Sequence, residues 1–342
     1  MKPFDYTRAA EASEAVALVG RLEEAKYLGG GTNLLDLMKE GVERPGHLVD
    51  VTRLPLAQIS ELPDGSVRVG AMVSNTAAAN HPLIRQRYPL LSQAFLSGAT
   101  PQLRNMATVG GNLLQRTRCY YFTNTAMPCN KREPGAGCAA VEGFNRIHAI
   151  LGASEDCIAT HPSDMCVALA ALDAVVRVSG PGGDGPSGPA MGQRTIPVTE
   201  FHRLPGDTPH IETNLQPGEL ITAVDLPPNA FARTSHYLKT RDRNSYAFAL
   251  VSVAAALALN GDRIQMARLA LGGVAHKPWR ATTAEEVLAG QSPSAVLYQQ
   301  AAEAALVGAK PYEHNAFKIE LGKRAIVRAL THIAPFASEA AS

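Results

Sequence analysis

Five cysteines of this 342-residue chain, Cys119, Cys129, Cys138, Cys157 and Cys166, crowd into a window of 48 residues. Four of them fall within residues 115–160, which follow neither the helical nor the strand period and also hold Pro128, Pro134 and four glycines. A structureless stretch of that length inside a compact domain is either a functional loop or disordered. The spacing C-x9-C-x8-C-x18-C-x8-C contains no Cys-x-x-Cys, so neither the zinc-ribbon nor the bacterial ferredoxin pattern applies. Three readings compete: inert thiols, a zinc ion on four thiolates, or an iron–sulfur cluster on four thiolates. Arg116, Arg118, Lys131, Arg132 and Arg146 surround the sulfurs in sequence, and Gly135 and Gly137 let backbone N–H groups come close. Both features favour an anionic cluster. A zinc tetrathiolate is anionic too, so charge alone leaves zinc open. Cys166 stands apart in an apolar run, Asp164 to Leu172, where a thiol behaves as a small hydrophobe. His148 and His161 are near enough to be alternative ligands but read as surface or loop-stabilising residues.

Composition narrows the function. Lys+Arg number 32 against 31 Asp+Glu, which excludes a broad basic face for nucleic acid. Charged residues are only 18%, which argues against disorder. The longest nearly apolar stretch, Ala247 to Leu259, has 13 residues and is too short to cross a bilayer, so no membrane insertion is expected. The N-terminus lacks the apolar core of a secretory signal. Folding in the cytoplasm with reduced thiols is therefore the expectation.

Along the chain, Asp5 to Glu24 reads as an amphipathic helix, with Thr7 able to cap it. Lys26-Tyr-Leu reads as a strand running into Gly29-Gly30-Gly31-Thr32-Asn33, then a helix stopped by Gly41, then a strand over His47–Val51. Ile59 to Val69 is a hairpin centred on Asp64-Gly65. Helices are expected over 75–80, 83–87 and 89–98, and an apolar helix followed by a strand over 165–178. Residues 179–193 read as an exposed, mobile connector. Beyond Pro227-Pro228 the composition shifts. Residues 236–259 and 264–272 then read as strands, and 282–288, 294–305 and 317–334 as helices. The expected boundaries are 1–229 for a first domain, with subdomains of about 1–55 and 56–229 and an insertion of about 113–160, and 230–342 for a second.

Two glycine turns carry binding chemistry. Gly29–Asn33 lies between a strand and a helix, where free N–H groups and the helix dipole favour a phosphate. Thr108-Val109-Gly110-Gly111-Asn112 offers a second set of donors. Either loop alone reads first as an ordinary tight turn. Together they suit the two charges of a dinucleotide pyrophosphate, although the Gly-x-Gly-x-x-Gly fingerprint is not matched at the first.

With both loops and the insertion in view, the chain resembles the FAD-binding medium subunit of the molybdenum hydroxylases, the xanthine dehydrogenase and aldehyde oxidoreductase group. The carriers are Leu28–Leu34, Arg104–Asn112, His161-Pro-Ser-Asp164, Pro217-Gly-Glu-Leu220, Ala247–Val253 and Leu271–Ala275, and they span nearly the whole chain. The cysteine insertion is similar to that of the flavin subunit of periplasmic aldehyde oxidoreductase and, more loosely, of 4-hydroxybenzoyl-CoA reductase. In both, it binds an additional [4Fe–4S] cluster. The resemblance implies an α+β fold: a two-subdomain, vanillyl-alcohol-oxidase/PCMH-like FAD domain, then a small domain of a three-stranded sheet and helices. It implies FAD held by Lys26, Leu28, Gly29, Gly30, Gly31, Thr32, Asn33, Leu34, Ala107, Thr108, Gly111, Asn112 and Leu114. Asp164 would take ribitol or ribose hydroxyls, Leu220 and Lys239 would flank the isoalloxazine, and Tyr246 would neighbour it. The cluster ligands would be Cys119, Cys129, Cys138 and Cys157. No molybdenum-cofactor signature is present, so the implied role is electron transfer in a complex with a large molybdenum subunit and a small [2Fe–2S] subunit, as heterotrimers or their dimers. Electrons would pass on to an external acceptor. Relatives of this type are exported folded on a partner's signal, which implies a periplasmic destination. The alternatives are a hydroxybenzoyl-CoA-reductase-like flavin subunit and a self-contained FAD oxidoreductase, for which the sequence offers no acid or base to place over the ring.

Overall fold

The computed structural model describes residues 1–181, 184–185, 188–189 and 192–336. Strand β1 (Asp5–Arg8), helix α1 (Ala12–Arg21), strand β2 (Ala25–Leu28), helix α2 (Leu34–Lys39) and strand β3 (His47–Asp50) build a small parallel sheet of order β1-β3-β2. The single helix expected over residues 5–24 is thus a strand followed by a helix. Asp5–Arg8 pairs residue for residue with His47–Asp50, and Ala9 N–H extends the ladder to the Asp50 carbonyl. Long-range pairing outweighs helical spacing there.

The hairpin of β4 (Ile59–Glu61) and β5 (Val67–Gly70) forms around Asp64-Gly65, with Gly65 at φ 81°. Helices α3 (Asn75–Asn80), α4 (Pro82–Arg87), α5 (Pro89–Ser97) and α6 (Pro101–Met106) follow. The second glycine turn is itself a short helix, α7 (Val109–Leu113), capped by the Thr108 hydroxyl. The insertion holds only one helical turn, α8 (Tyr120–Thr123), and a bridge between Cys129 and Cys138. Then come helix α9 (Asp164–Ala171), strand β6 (Val175–Gly180), the paired dipeptides β7 (Asp184–Gly185) and β8 (Gly188–Pro189), strand β9 (Gly192–Pro197), helix α10 (Val198–Phe201) and strand β10 (Leu220–Leu226). The larger sheet runs β4-β5-β10-β6-β9, all antiparallel. Much of the expected mobile connector, 182–183, 186–187 and 190–191, lies outside the described residues.

The last third forms strands β11 (Ser235–Thr240), β12 (Val251–Asn260), β13 (Arg263–Gly272) and β14 (Trp279–Arg280), with helices α11 (Thr282–Leu288), α12 (Ala295–Ala305) and α13 (Phe317–Ile333). The sheet has four strands where three were expected, because Trp279–Arg280 pairs with Ala270–Leu271. The strand expected over 236–259 is two strands, β11 and β12, separated by residues 241–250. No described helix is long and apolar enough to cross a membrane.

This sheet is buried on both faces, which explains its nearly unbroken apolar run. Ala254, Ala256 and Ala258 of β12 face the same core as α5 and α9, while Val251, Val253 and Leu257 pack with Leu288, Leu297, Ile326 and Leu330 of the C-terminal helices. Alanines on the first face let α9, buried along its whole length, lie close to the strands. Replacing Ala254 with Leu would overfill that face. We expect a loss of about 1–3 kcal/mol, read as a lowered melting temperature, with Val296→Leu on the exposed side of α12 as an unaffected control.

Candidate functional site

The two glycine turns meet. Gly30 sits so close to the end of α6 that a Cβ there would overlap the Met106 carbonyl oxygen, and one at Gly29 would lie 3.1 Å from Thr108 Oγ1. Gly31 has φ 74°, the left-handed region that only glycine enters without strain. The Arg116 backbone N–H donates to Asn33 Oδ1 at 2.8 Å and ties the second loop to the first. Between them opens a cavity of about 500 Å³ lined by Lys26, Gly29–Leu34, Thr108, Gly111, Leu114, His161, His202, Glu212 and His276 among others.

Its donors are unequal. The backbone N–H groups of residues 29 to 34 donate to no acceptor among the described residues, whereas those of 109 to 112 are already used. Val109 donates to the Val73 carbonyl, Gly110 to Ala71, and Gly111 and Asn112 to the Thr108 hydroxyl and carbonyl. The first loop therefore supplies the anion cradle, and the second supplies shape and the hydroxyl of Thr108. Three further polar atoms of the lining residues are buried without a partner, Asn33 Nδ2, His161 Nε2 and His202 Nδ1. Ser163 N–H donates to His161 Nδ1 at 3.4 Å, which leaves Nε2 carrying the proton. His202 Nε2 donates to the Leu113 carbonyl, so its Nδ1 is an acceptor; the other spare groups are donors, which phosphate oxygens require.

Behind the loops runs a ladder of alternating charge, exposed at Lys26 and buried at Lys131. Lys26 pairs with Glu43, whose other oxygen takes Arg116 at 2.6 Å. Arg116 reaches Glu212 at 2.5 Å, and Glu212 takes Lys131 at 2.7 Å. Lys131 also donates to His276 Nε2, whose Nδ1–H donates to the Arg203 carbonyl at 2.8 Å. Burial alone would raise the Glu212 carboxyl, but Lys131 and Arg116 outweigh it and hold it down to about 2. Burial pushes His202 and His276 down to about 4 and His161 well below its usual value, so all three rings are neutral near pH 7.

Outside this cavity, Asp164 Oδ2 takes Lys239 Nζ at 2.7 Å and Oδ1 takes the Tyr237 hydroxyl at 2.8 Å, while Lys239 also donates to the Ser97 carbonyl. Leu220 packs with Ala9, Val16, Val49 and Leu54. Tyr246 is 59% exposed on the 241–250 loop with φ 52°, not packed on the sheet. Leu28 ends β2, Ala107 gives its carbonyl to Asn75 N–H, and Asn112 Oδ1 receives the Ser163 hydroxyl at 2.7 Å.

The insertion brings Cys119, Cys129, Cys138 and Cys157 around one small cavity and leaves Cys166 in the separate core of α9. Four thiolates on a single zinc stand about 3.8 Å apart at ordinary Zn–S lengths. Among the described residues no three of these sulfurs come within 4.8 Å of one another, a spacing that only His161, Cys166 and His202 meet. Four thiols around one cavity are the donor set that either a zinc ion or an iron–sulfur cluster takes. The cations expected to surround it are otherwise engaged: Arg116 and Lys131 as above, Arg118 with Asp36, Arg146 with Asp242, and Arg132 with the carbonyls of Tyr121, Phe122 and Met127. His148 is not at the surface. It is buried, with Nε2 3.1 Å from Cys119 Sγ.

Residues 2–229 match the family model described as the FAD binding domain in molybdopterin dehydrogenase, and residues 236–333 match the CO dehydrogenase flavoprotein C-terminal domain. The chain belongs to the FAD-binding medium subunits of the molybdenum hydroxylases. It is 51% identical over 330 residues to the aldehyde oxidoreductase FAD-binding subunit PaoB of Escherichia coli strain K12, covering 96% of this chain and 98% of that one. The glyceraldehyde dehydrogenase medium chain of Sulfolobus acidocaldarius is 25% identical over 84% of this chain and 82% of its own length. The structure of carbon monoxide dehydrogenase from Hydrogenophaga pseudoflava aligns with a TM-score of 0.73 at 27% identity, over 97% of this chain and 98% of that one. As in its family, the chain is a flavoprotein subunit of an oxidoreductase that works with large and small partners.

Gly30→Ala should abolish flavin retention in a folded chain, because its methyl group would drive the two loops apart. Gly20→Ala, where a Cβ meets nothing within 4 Å, is the control, and flavin absorbance per chain is the measurement. Glu212→Gln leaves the buried Lys131 without a carboxylate and Arg116 with Glu43 alone, and should cost about 3 kcal/mol at neutral pH. A carboxyl held below its ordinary 4.5 stabilises the fold above that pH and stops doing so as pH falls toward 2. The gap between wild-type and variant melting temperatures should therefore close over that window.

Proposed function

We propose that this chain is the electron-transfer subunit of a molybdenum-dependent aldehyde oxidoreductase complex, with FAD in the glycine cradle and a [4Fe–4S] cluster on Cys119, Cys129, Cys138 and Cys157. On this reading the large partner oxidises the substrate and the small partner's [2Fe–2S] clusters deliver electrons. FAD, when bound, links two-electron and one-electron steps on the way to an external acceptor. The aldehyde class comes from the activity named for the E. coli relative.

The chain's own residues bind and exclude. The N–H groups of residues 29 to 34, with Asn33 Nδ2 and His161 Nε2, donate to the oxygens of the dinucleotide. Leu28, Ala107, Gly111, Asn112, Leu114 and Leu220 shape the loops that hold it. Asp164, fixed by Lys239 and Tyr237, keeps an acceptor beside the backbone of Ser97 and Gly98.

The observation that supports the cluster assignment is the convergence of four cysteines from a non-periodic insertion on one cavity. The test is iron, sulfide, zinc and flavin content of the complex purified with its partners away from oxygen. We expect flavin plus about four iron and four sulfide per chain beyond the partners' own clusters. One zinc and no such iron would make the insertion purely structural and overturn the assignment. Cys129→Ser should lose the additional iron while flavin stays.

A further inference from the structure

One of the places where the insertion is fastened to the C-terminal domain is the segment 145–150. Asn145 Oδ1 accepts the His314 N–H at 2.9 Å, and Asn315 Nδ2 donates to the carbonyls of His148 and Ala149 at 3.3 and 3.2 Å. The Ile150 carbonyl takes the Lys310 N–H at 2.8 Å. At the centre of this contact lies Lys318, in the first turn of α13 and 0% exposed. Its ammonium donates to the carbonyls of Ile147 at 3.3 Å, His148 at 2.8 Å and Gly273, and pairs with no carboxylate among the described residues.

A buried ammonium without a counter-charge is costly. Burial pushes this one down to about 7 in the chain by itself. Every cation near the cage except Arg132 has an acid of its own, so Lys318 is the buried charge that a neighbouring anion would relieve. The residue it fixes is His148, and the other end of His148 meets the cage: Nε2 lies 3.1 Å from Cys119 Sγ. With Cys119 a thiolate, as the cluster reading requires, the sulfur can only accept, and that contact becomes an N–H···S hydrogen bond with the proton on Nε2. The Nδ1 atom is buried without a partner, as this tautomer leaves it.

We propose that His148 and Lys318 are positioning residues for the cysteine cage: His148 donates to the Cys119 sulfur, and Lys318 clamps the backbone that carries His148 while setting an unpaired positive charge behind it. The inference rests on the cluster reading above. Both groups stabilise negative charge at the sulfurs, most strongly in the reduced state, so both raise the reduction potential.

The test uses the anaerobically assembled complex, with iron and sulfide per flavin and an EPR-monitored redox titration of this chain's cluster. His148→Phe should shift the midpoint to a more negative value while flavin content is unchanged. His148→Gln, which keeps an N–H donor, should restore most of the shift. Lys318→Met should also lower the midpoint or empty the cage. If that variant fails to assemble, the His148 pair decides. Wild-type iron content with an unmoved midpoint in His148→Phe overturns the proposal. Wild-type protein without the additional iron overturns the cluster reading beneath it, which is a distinguishable failure.

Discussion

The molecule depends on one close approach, that of Gly30 to the Met106 carbonyl. The two loops that meet there belong to different sheets, the first to the parallel β1-β3-β2 unit and the second to the body built on β5 and β10. A side chain at position 30 would overlap backbone, which cannot move aside as a rotamer can. Because the gap is closed by backbone, residues 29 to 34 have nowhere inside the protein to send their N–H groups. Buried or half-buried donors without acceptors are unstable by themselves. The same contact that joins the subdomains therefore creates the demand for an oxygen-rich anion between them. Fold and cofactor affinity are one constraint.

The charge ladder behind the loops answers a different problem. Lys26, Glu43, Arg116, Glu212 and Lys131 alternate in sign along a partly desolvated wall. Each interior member touches two of opposite charge, so Coulomb attraction offsets burial without any one pair being strong. Arg116 also lies over the Phe122 ring at 4.5 Å, and Phe122 is a core residue of the cysteine cluster. The basic residues of the insertion are thus spent on seating it against the body. Their crowding in sequence looks like compensation for a cluster, but only distances reveal that acids from positions 36, 43, 212 and 242 have claimed most of them.

What was legible in sequence and what was not divides along contact range. The Asp64-Gly65 hairpin, the three C-terminal helices and the Thr108 turn are written in neighbouring residues, and α11 to α13 lie within a residue or two of their expected bounds. The cysteine insertion announced itself by lacking any period. Four-residue β1 has too few positions to display one and is defined by a partner about 40 residues on. The break over 241–250 was within reach of the sequence, because Arg241-Asp-Arg-Asn-Ser245 is a polar run ahead of the apolar stretch that starts at Ala247. Glu212, His202, His276, Tyr237 and Lys318 were missed because each sits in an unremarkable local context. Their roles come from what the fold sets opposite them. The short run His161-Pro-Ser-Asp could reveal neither that its aspartate is gripped by Lys239 and Tyr237 nor that its histidine has a spare nitrogen in the cavity.

The insertion is not an appendage. Its apolar core takes Leu37 and Val42 from the first subdomain and Tyr312 from the C-terminal domain, and its polar contacts reach Glu212, Asp242 and Lys318. A segment with almost no secondary structure satisfies much of its backbone through its own turns and is seated by such contacts, so its order and that of its neighbours rise and fall together. A group held between the four sulfurs would bind only the folded arrangement, and its free energy would be shared with both domains. That coupling explains how forty-odd residues without helix or strand can sit inside a compact protein. The chain gives up local structure there and recovers its stability from a core of sulfur, from buried carbonyls held by Arg132 and Lys318, and from the two domains that it joins.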